Sequence, residues 1–431
     1  MTKASLIGHV IEVFAKFTSR TEIPADITIR NFSRERKYLG SSDRRFISDV
    51  YFGTIKNYLR LEAITLDALQ TQSTHPQLVI AAYCIIFRGD TPAEMRKIIS
   101  TLSGDLARNY PLEIFEKFAD RALEDKRMQE LSPTQRLAIL YSYPEWFVEH
   151  LEKEYGPETE VVLKSLNEEA TTNLRVNTTV TTREKLQKVL KEAGVETTFG
   201  TLSDDALILR RRMNVWDLKP FKEGQFEIQD EASQLIAPFA AISSNRLRIL
   251  DACAGAGGKA LHFSSLLRGG GEIFATDVDP YKLEELKKRT IRSNAQNIRI
   301  VKPDKYDQYL GTKTFGTFDV VLLDVPCSGT GTLRRNPSIK WRLSEQMHNE
   351  LIEKQRHILE HNAPYVKEKG VLLYSTCSLL KSEGEEQINW FLSLHPEFTL
   401  EATRRTHPEQ ERCDGFFVAR LRRRQESKIE N

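Results

Sequence analysis

Leu247-Arg248-Ile249-Leu250-Asp251-Ala252-Cys253, Ala254-Gly255-Ala256-Gly257-Gly258-Lys259 and Ala260-Leu261-His262-Phe263-Ser264-Ser265-Leu266-Leu267 follow one another without a break. The first run is apolar and of strand length, the second is a glycine-rich turn, and the third spaces its apolar residues as a helix does. Glycines in such a turn permit positive φ and let the backbone come close to a ligand. A second short strand, Gly271-Glu272-Ile273-Phe274-Ala275-Thr276, ends in Asp277. That acid stands about twenty residues beyond the turn, a placement that suits ribose hydroxyls. Strand, turn, helix, strand and acid together predict an open α/β sheet that holds a ribose-bearing cofactor.

Two further apolar runs end in cysteine. Val320-Val321-Leu322-Leu323-Asp324-Val325-Pro326 leads to Cys327, and Val371-Leu372-Leu373-Tyr374-Ser375-Thr376 leads to Cys377. In an open α/β sheet the carboxyl ends of strands face the ligand crevice, so both thiols are expected there. A cysteine packs equally well as a small hydrophobe, but two in matching settings point to chemistry, which a thiol performs as thiolate. Asp324 adds a carboxylate three residues before Cys327, with Pro326 stiffening the turn between them.

A glycine turn also closes ordinary βα units, so the cofactor class rests on its surroundings. A nucleotide P-loop is excluded because Ala260, which follows Gly258-Lys259, has no hydroxyl for magnesium. A dinucleotide turn would need the full glycine fingerprint and would leave both thiols without a role. S-adenosylmethionine accommodates both: a methyl donor needs a ribose acid, and a thiol activates an otherwise unreactive acceptor carbon.

Four segments carry a family resemblance: the glycine turn, the loop Asp324 to Gly331, the strand end Ser375-Thr376-Cys377-Ser378, and Asp414-Gly415-Phe416-Phe417. Together they resemble the Nol1/Nop2/Sun family of RNA cytosine-5 methyltransferases. Thr332-Leu333-Arg334-Arg335-Asn336-Pro337-Ser338-Ile339-Lys340-Trp341-Arg342 is similar to the bacterial Sun (Fmu) branch, whose members act on small-subunit ribosomal RNA. The resemblance implies a Rossmann-like S-adenosylmethionine-dependent methyltransferase domain, preceded by a small α/β module and an all-α NusB-like domain.

It also implies roles. Cys377 matches the family's nucleophile, which adds to carbon 6 of cytosine so that carbon 5 takes the methyl group. Cys327 matches the cysteine that assists product release. Asp324 would contact the base edge and Lys259 would favour the anionic species nearby. Cofactor contacts map to Cys253, Ala254, Gly255, Ala256, Gly257, Gly258 and Lys259, with Asp277 at the ribose, Asp304 on the adenine side and Asp324 near the methionine part. The turn departs from the family's usual Cys-Ala-Ala-Pro-Gly-Gly-Lys-Thr at Gly255, Ala256 and Ala260. Loss of the proline loosens the loop and loss of the threonine removes a hydroxyl cap, so weaker cofactor binding is expected.

At 431 residues the chain is too long for one ordinary core. Three domains are expected: a helical NusB-like domain over 1–155, a small α/β RNA-contact module over 156–226 and the catalytic domain over 227–431. In the first, Ile7, Val10, Ile11, Phe14 and Phe17 recur at helical spacing. In the second, Asn173 to Asn177 and Ala206 to Leu209 read as strands around a helix from Thr182 to Ala193, with Arg175 and Asn177 as candidate RNA contacts. Five cysteines without paired metal spacing, no apolar stretch of membrane length and no signal sequence suggest a cytoplasmic protein with reduced thiols and no metal.

The net charge of +2 does not identify a nucleic-acid partner. Basic clusters do recur, among them Arg210-Arg211-Arg212, Arg334-Arg335 and Arg420 to Arg424. Most such clusters are solvated surface. Arg334, Arg335 and Lys340, following the catalytic loop and beside Trp341, are expected at the phosphates of a presented single strand. The protein is expected to act as a monomer on ribosomal RNA. Alternatives are a non-catalytic RNA-binding factor, against which both thiols argue, and a cytosine-5 methyltransferase of tRNA or DNA. A large insertion for DNA recognition is missing after the Pro-Cys loop.

Overall fold

The computed structural model describes residues 1–103, 110–120, 124, 126 and 128–425. The chain divides into two compact units, one of Met1–Glu168 with Leu333–Glu345, the other of Glu169–Thr332 with the chain from Gln346 onward. Among the described residues no helix is long and apolar enough to cross a membrane.

The first unit is helical, beginning with Lys3–Thr18, Ala25–Glu35, Ser41–Lys56, Tyr58–Leu69, Pro76–Arg88 and Pro92–Ser103. In the first helix Ile7, Val10, Phe14 and Phe17 are buried at the spacing of one helical face, and the Thr2 side chain caps its start by accepting from the Ser5 N–H. Pro76 opens its helix at the first position and Gly89, at φ 74°, ends it. Helices Glu145–Tyr155 and Thr159–Ser165 carry this unit beyond the boundary expected at 155.

Leu333–Glu345 belongs to this helical unit, which corrects the reading of its basic residues. The Trp341 ring lies 4.2 Å from Tyr58 and 5.2 Å from Phe17, and its Nε1 donates to the Ile55 carbonyl. The buried Lys340 donates from Nζ to the carbonyls of Lys56 and Tyr141 and to Asn167 Oδ1, 3.7 Å from the Tyr143 ring centre. Arg334 is buried and Arg335 partly so. Burial takes Arg334 and Lys340 off an exposed phosphate track, and the Lys340 amine spends its protons on fixed acceptors.

The second unit contains two sheets. Strands β1 (Asn173–Val176), β2 (Thr197–Phe199), β3 (Ala206–Leu209) and β4 (Phe226–Ile228) form an antiparallel sheet in the order β2-β3-β1-β4. The helix Arg183–Glu192, capped by Thr182, covers it with Leu186 and Leu190 over Leu174, Val176 and Leu207.

The larger sheet is built from β5 (Arg248–Asp251), β6 (Glu272–Thr276), β7 (Ile298–Val301), β8 (Phe318–Asp324), β9 (Val366–Thr376), β10 (Phe398–Arg405) and β11 (Phe417–Arg423). Its order is β10-β11-β9-β8-β5-β6-β7. Strands β5 to β9 pair in parallel, while β11 runs antiparallel to both β9 and β10. Val320 and Leu322 enter one apolar cluster, Val321 and Leu323 the other, so β8 is apolar throughout because both of its faces are covered. From β5 the chain winds outward through β6 to β7, then returns to β8 on the other side of β5. The carboxyl ends of β5 and β8 therefore flank the switch point, where such sheets bind ligands.

Arg175 and Asn177, expected at RNA, are both buried and link the small sheet to the larger one. Asn177 Nδ2 donates to the Gly224 and Ser293 carbonyls, and the Ser265 hydroxyl donates to its Oδ1. Close by, the buried His262 Nε2 lies 3.2 Å from Asp205 Oδ2. Burial, then the Arg175 charge, lower His262 to about 4 against the opposing pull of Asp205. The unfolded chain, titrating at 6.5, then binds more protons than the native protein between pH 6.5 and about 4. Stability is lost as pH falls through that window, by about 3 kcal/mol from this residue. Urea melts from pH 7 to 4.5 should show a shallower acid decline for His262→Gln than for the parent, and equal declines would assign the acid sensitivity elsewhere.

Candidate active site

Parallel pairing of β8 with β9 sets Asp324 opposite Ser375, and the ladder runs on through the Val325 N–H to the Ser375 carbonyl. The two chains leave the sheet together, and the Cys327 and Cys377 sulfurs meet at 3.2 Å. Both residues are partly exposed. The Cys327 thiol is pushed well above its ordinary value, first by the Cys377 sulfur and then by burial. Its protonated form is therefore favoured at neutral pH.

Asp324 lies at the centre of the crevice. Its Oδ1 accepts from the Ser375 hydroxyl at 2.9 Å, and its Oδ2 pairs with Lys259 Nζ at 2.6 Å. Burial alone would lower Lys259, but Asp324 outweighs it, the Cys377 sulfur and Asp251 add to the effect, and the ammonium is held charged. The Phe416 ring lies 5.3 Å below that ammonium. Asp251, fully buried at the end of β5 with no side-chain partner among the described residues, is pushed up to about 8 by burial and then by Asp324. Of two carboxyls near one lysine, Asp251 is the one whose protonated form its surroundings favour. Burial and these acids push the Cys253 thiol up as well.

The Pro-Cys loop is fixed by a buried network that the sequence did not reveal. Glu383 accepts from the Ser328 N–H and hydroxyl and from Gln355 Nε2, while Gln355 also donates to the Pro326 carbonyl. Tyr374 donates to Gln355 Oε1 and to the Glu383 carbonyl. In sequence, Glu383 sits among acids that read as a solvated helix start. Gly331, which ends the Pro-Cys loop, and Gly415 of the last motif meet backbone to backbone: Gly331 donates to the Cys377 carbonyl and accepts from the Gly415 N–H. A Cβ on Gly331 would stand 2.0 Å from the Gly415 oxygen.

The cofactor turn has Gly255 and Gly257 at φ 53° and 85°. Asp277 Oδ2 accepts from the Gly255 N–H and its Oδ1 from the Asp279 N–H, so this acid shapes the turn and stands beside it. A side chain at Gly257 would meet Leu286 at 2.0 Å, whereas one at Gly255 would find open space. The expected group of Cys253 to Lys259, Asp277 and Asp324 thus lies together around the ends of β5, β6 and β8. Asp304 is exposed in the turn Pro303–Lys305 after β7, the strand that pairs with β6.

Residues 242–422 match the profile of the family described as 16S rRNA methyltransferase RsmB/F, and residues 143–216 match the ferredoxin-like domain of RsmF/B-like methyltransferases. The chain is 30% identical over 415 residues to ribosomal RNA small subunit methyltransferase B of Shewanella oneidensis, covering 90% of this chain and 92% of that protein. The probable ribosomal RNA small subunit methyltransferase B of Bacillus subtilis is 27% identical, with 98% and 100% covered. A solved structure of the protein PH0851 superposes with a TM-score of 0.78 at 26% identity, covering 98% of this chain and 99% of that one. At this identity and coverage, the chain belongs to the RsmB/F family of methyltransferases, in the Sun branch of the Nol1/Nop2/Sun group.

Proposed function

We propose that this protein methylates carbon 5 of a cytosine in small-subunit ribosomal RNA through a covalent bond from Cys377 to carbon 6. The 3.2 Å contact between the Cys327 and Cys377 sulfurs, beside the Lys259–Asp324 pair, carries the reading. Ribosomal RNA as substrate follows from the names of the relatives.

The open flank of Gly255 and the position of Asp277 fit S-adenosylmethionine. Cys253 to Lys259 would line it, Asp277 would hold the ribose, Asp304 would stand on the adenine side and Asp324 near the methionine part. When bound, it supplies an electrophilic methyl group.

The chain's own residues do the rest. The Cys377 thiolate bonds to carbon 6, and the displaced π pair moves toward carbon 5 and the ring, where the Lys259 ammonium stabilises the negative charge while Asp324 accepts from the base edge. Once Cys377 is bonded to carbon, its sulfur no longer opposes ionisation of Cys327. Cys327 can then release its proton to solvent and, as thiolate, remove the proton from methylated carbon 5. The carbon 5–carbon 6 double bond re-forms, the bond to Cys377 breaks, and the thiolate leaves.

RNA contact passes to another part of the small module. Arg210, Arg211 and Arg212 are exposed, and Trp216 is 57% exposed with its ring edge-to-face on Phe221 at 5.0 Å. Asn214 Oδ1 accepts from the Trp216 N–H, so the indole is a held platform on which a base can stack.

Cys377→Ala should abolish tritium transfer from labelled S-adenosylmethionine to unmodified ribosomal RNA, with DNA inert for the parent and cofactor binding kept. Cys327→Ala should accumulate a denaturant-resistant protein–RNA adduct, and an adduct surviving in the double variant would overturn the division of roles. RNA binding without methyl transfer by the parent would favour a binding factor. Asp277→Ala should weaken S-adenosylmethionine by about ten- to a hundredfold, a charged hydrogen bond being worth about 1.5–3 kcal/mol, and calorimetry showing unchanged affinity would remove it from the site. Arg211→Ala with Arg212→Ala should flatten the log–log salt dependence of RNA affinity by about 0.7 for each phosphate that is no longer neutralised. Lys340→Met should leave that slope unchanged while lowering the melting temperature, and the opposite pattern would restore Lys340 to the RNA surface.

A further inference from the structure

The glycine turn is gripped from outside by groups no motif contains. Arg289, on the helix Pro280–Ser293, donates from Nη1 to the Ala256 carbonyl at 2.9 Å. Arg175, on β1, donates from Nη1 to the Gly258 carbonyl at 2.5 Å. The two pinned peptides flank Gly257, whose φ of 85° gives the turn its bend. Glu227, buried on β4 and paired in register with Arg175, accepts from Arg289 Nε and Nη2 at 3.1 and 2.8 Å. Arg292 also pairs with Glu227, at 2.5 Å, without an observed bond to the turn.

We propose that Arg175, Arg289 and Glu227 are positioning residues that hold the glycine turn in its cofactor-binding shape, an inference that rests on the reading of that turn as the S-adenosylmethionine site. The small module, on this view, sets cofactor affinity through β1 and β4. A guanidinium suits the task because its planar fork bonds the Ala256 carbonyl and the Glu227 carboxylate together in fixed geometry, which an ammonium cannot do. The restraint matters in this chain because Ala256 leaves the turn without a ring to fix φ. A carbonyl tied to a buried ion pair replaces that covalent restraint with a non-covalent one. Arg175, only 2% exposed, is too deep to meet a substrate, so its charge acts inward.

The test compares Arg289→Ala, Arg289→Lys and Arg292→Ala in the full chain. Both Arg289 variants should raise the calorimetric Kd and the KM for S-adenosylmethionine at least tenfold, with kcat within about threefold of the parent. Arg292→Ala, which removes a Glu227 partner but no bond to the turn, should leave both within about twofold. Adding Ala256→Pro to Arg289→Ala should recover most of the missing affinity by restoring the stiffness covalently. Hydrogen exchange of the turn amides, measured without cofactor, should rise in Arg289→Ala and not in Arg292→Ala. Equal cofactor effects from Arg289→Ala and Arg292→Ala, or unchanged exchange in Arg289→Ala, would overturn the brace. A parent that binds no S-adenosylmethionine while the exchange contrast holds would instead overturn the reading of the site.

Discussion

Where the winding of the larger sheet reverses, the carboxyl ends of β5 and β8 lie side by side, and the ion pair of Lys259 with Asp324 ties them together at 2.6 Å. Lys259 comes from the glycine turn and Asp324 from the end of β8 that leads to Cys327, so the pair connects the turn with the thiol loop. Removing one partner from a buried pair costs about 3–5 kcal/mol, because the other charge is stranded. Lys259 and Asp324 retain some exposure, which places them toward the lower figure. The geometry is specific as well as stabilising: the second Asp324 oxygen is taken by Ser375 on β9, so one carboxylate registers three strand ends.

Around that pair, the surroundings raise one carboxyl and one thiol. Burial, then Asp324, favours the protonated form of Asp251, and the Cys377 sulfur, then burial, favours that of Cys327. Each shift has a neighbour of the same residue type among its causes, so placement in the crevice, and not residue type, sets it.

The parts legible in the sequence were those with local signals. The glycine turn, its flanking strand and helix, and the ends of β8 and β9 lie close to where apolar runs and glycines put them, and β3 falls on Ala206–Leu209 as read. Arg175, Asn177 and Lys340 were misread for one physical reason. A polar residue in a short strand or turn looks like surface, and only its distant acceptors reveal otherwise: Gly258 for Arg175, Ser293 for Asn177, Tyr141 for Lys340. Glu383 escaped notice by the same route, since its partners Ser328 and Gln355 come from other elements. The strand β11, inserted between β9 and β10, was illegible because strand order is set by packing rather than by sequence adjacency.

That inserted strand bears on the order in which the site comes into being. Gly415, just before β11, supports Gly331, which in turn holds the carbonyl of Cys377, and β11 is the outer neighbour of β9. Both thiols lie earlier in the chain than this support. A growing polypeptide therefore carries its two cysteines for some time before it owns the strand that seats them. The geometry of the thiol pair is complete only once β11 has been synthesised, and until then the thiols belong to an unfinished sheet edge.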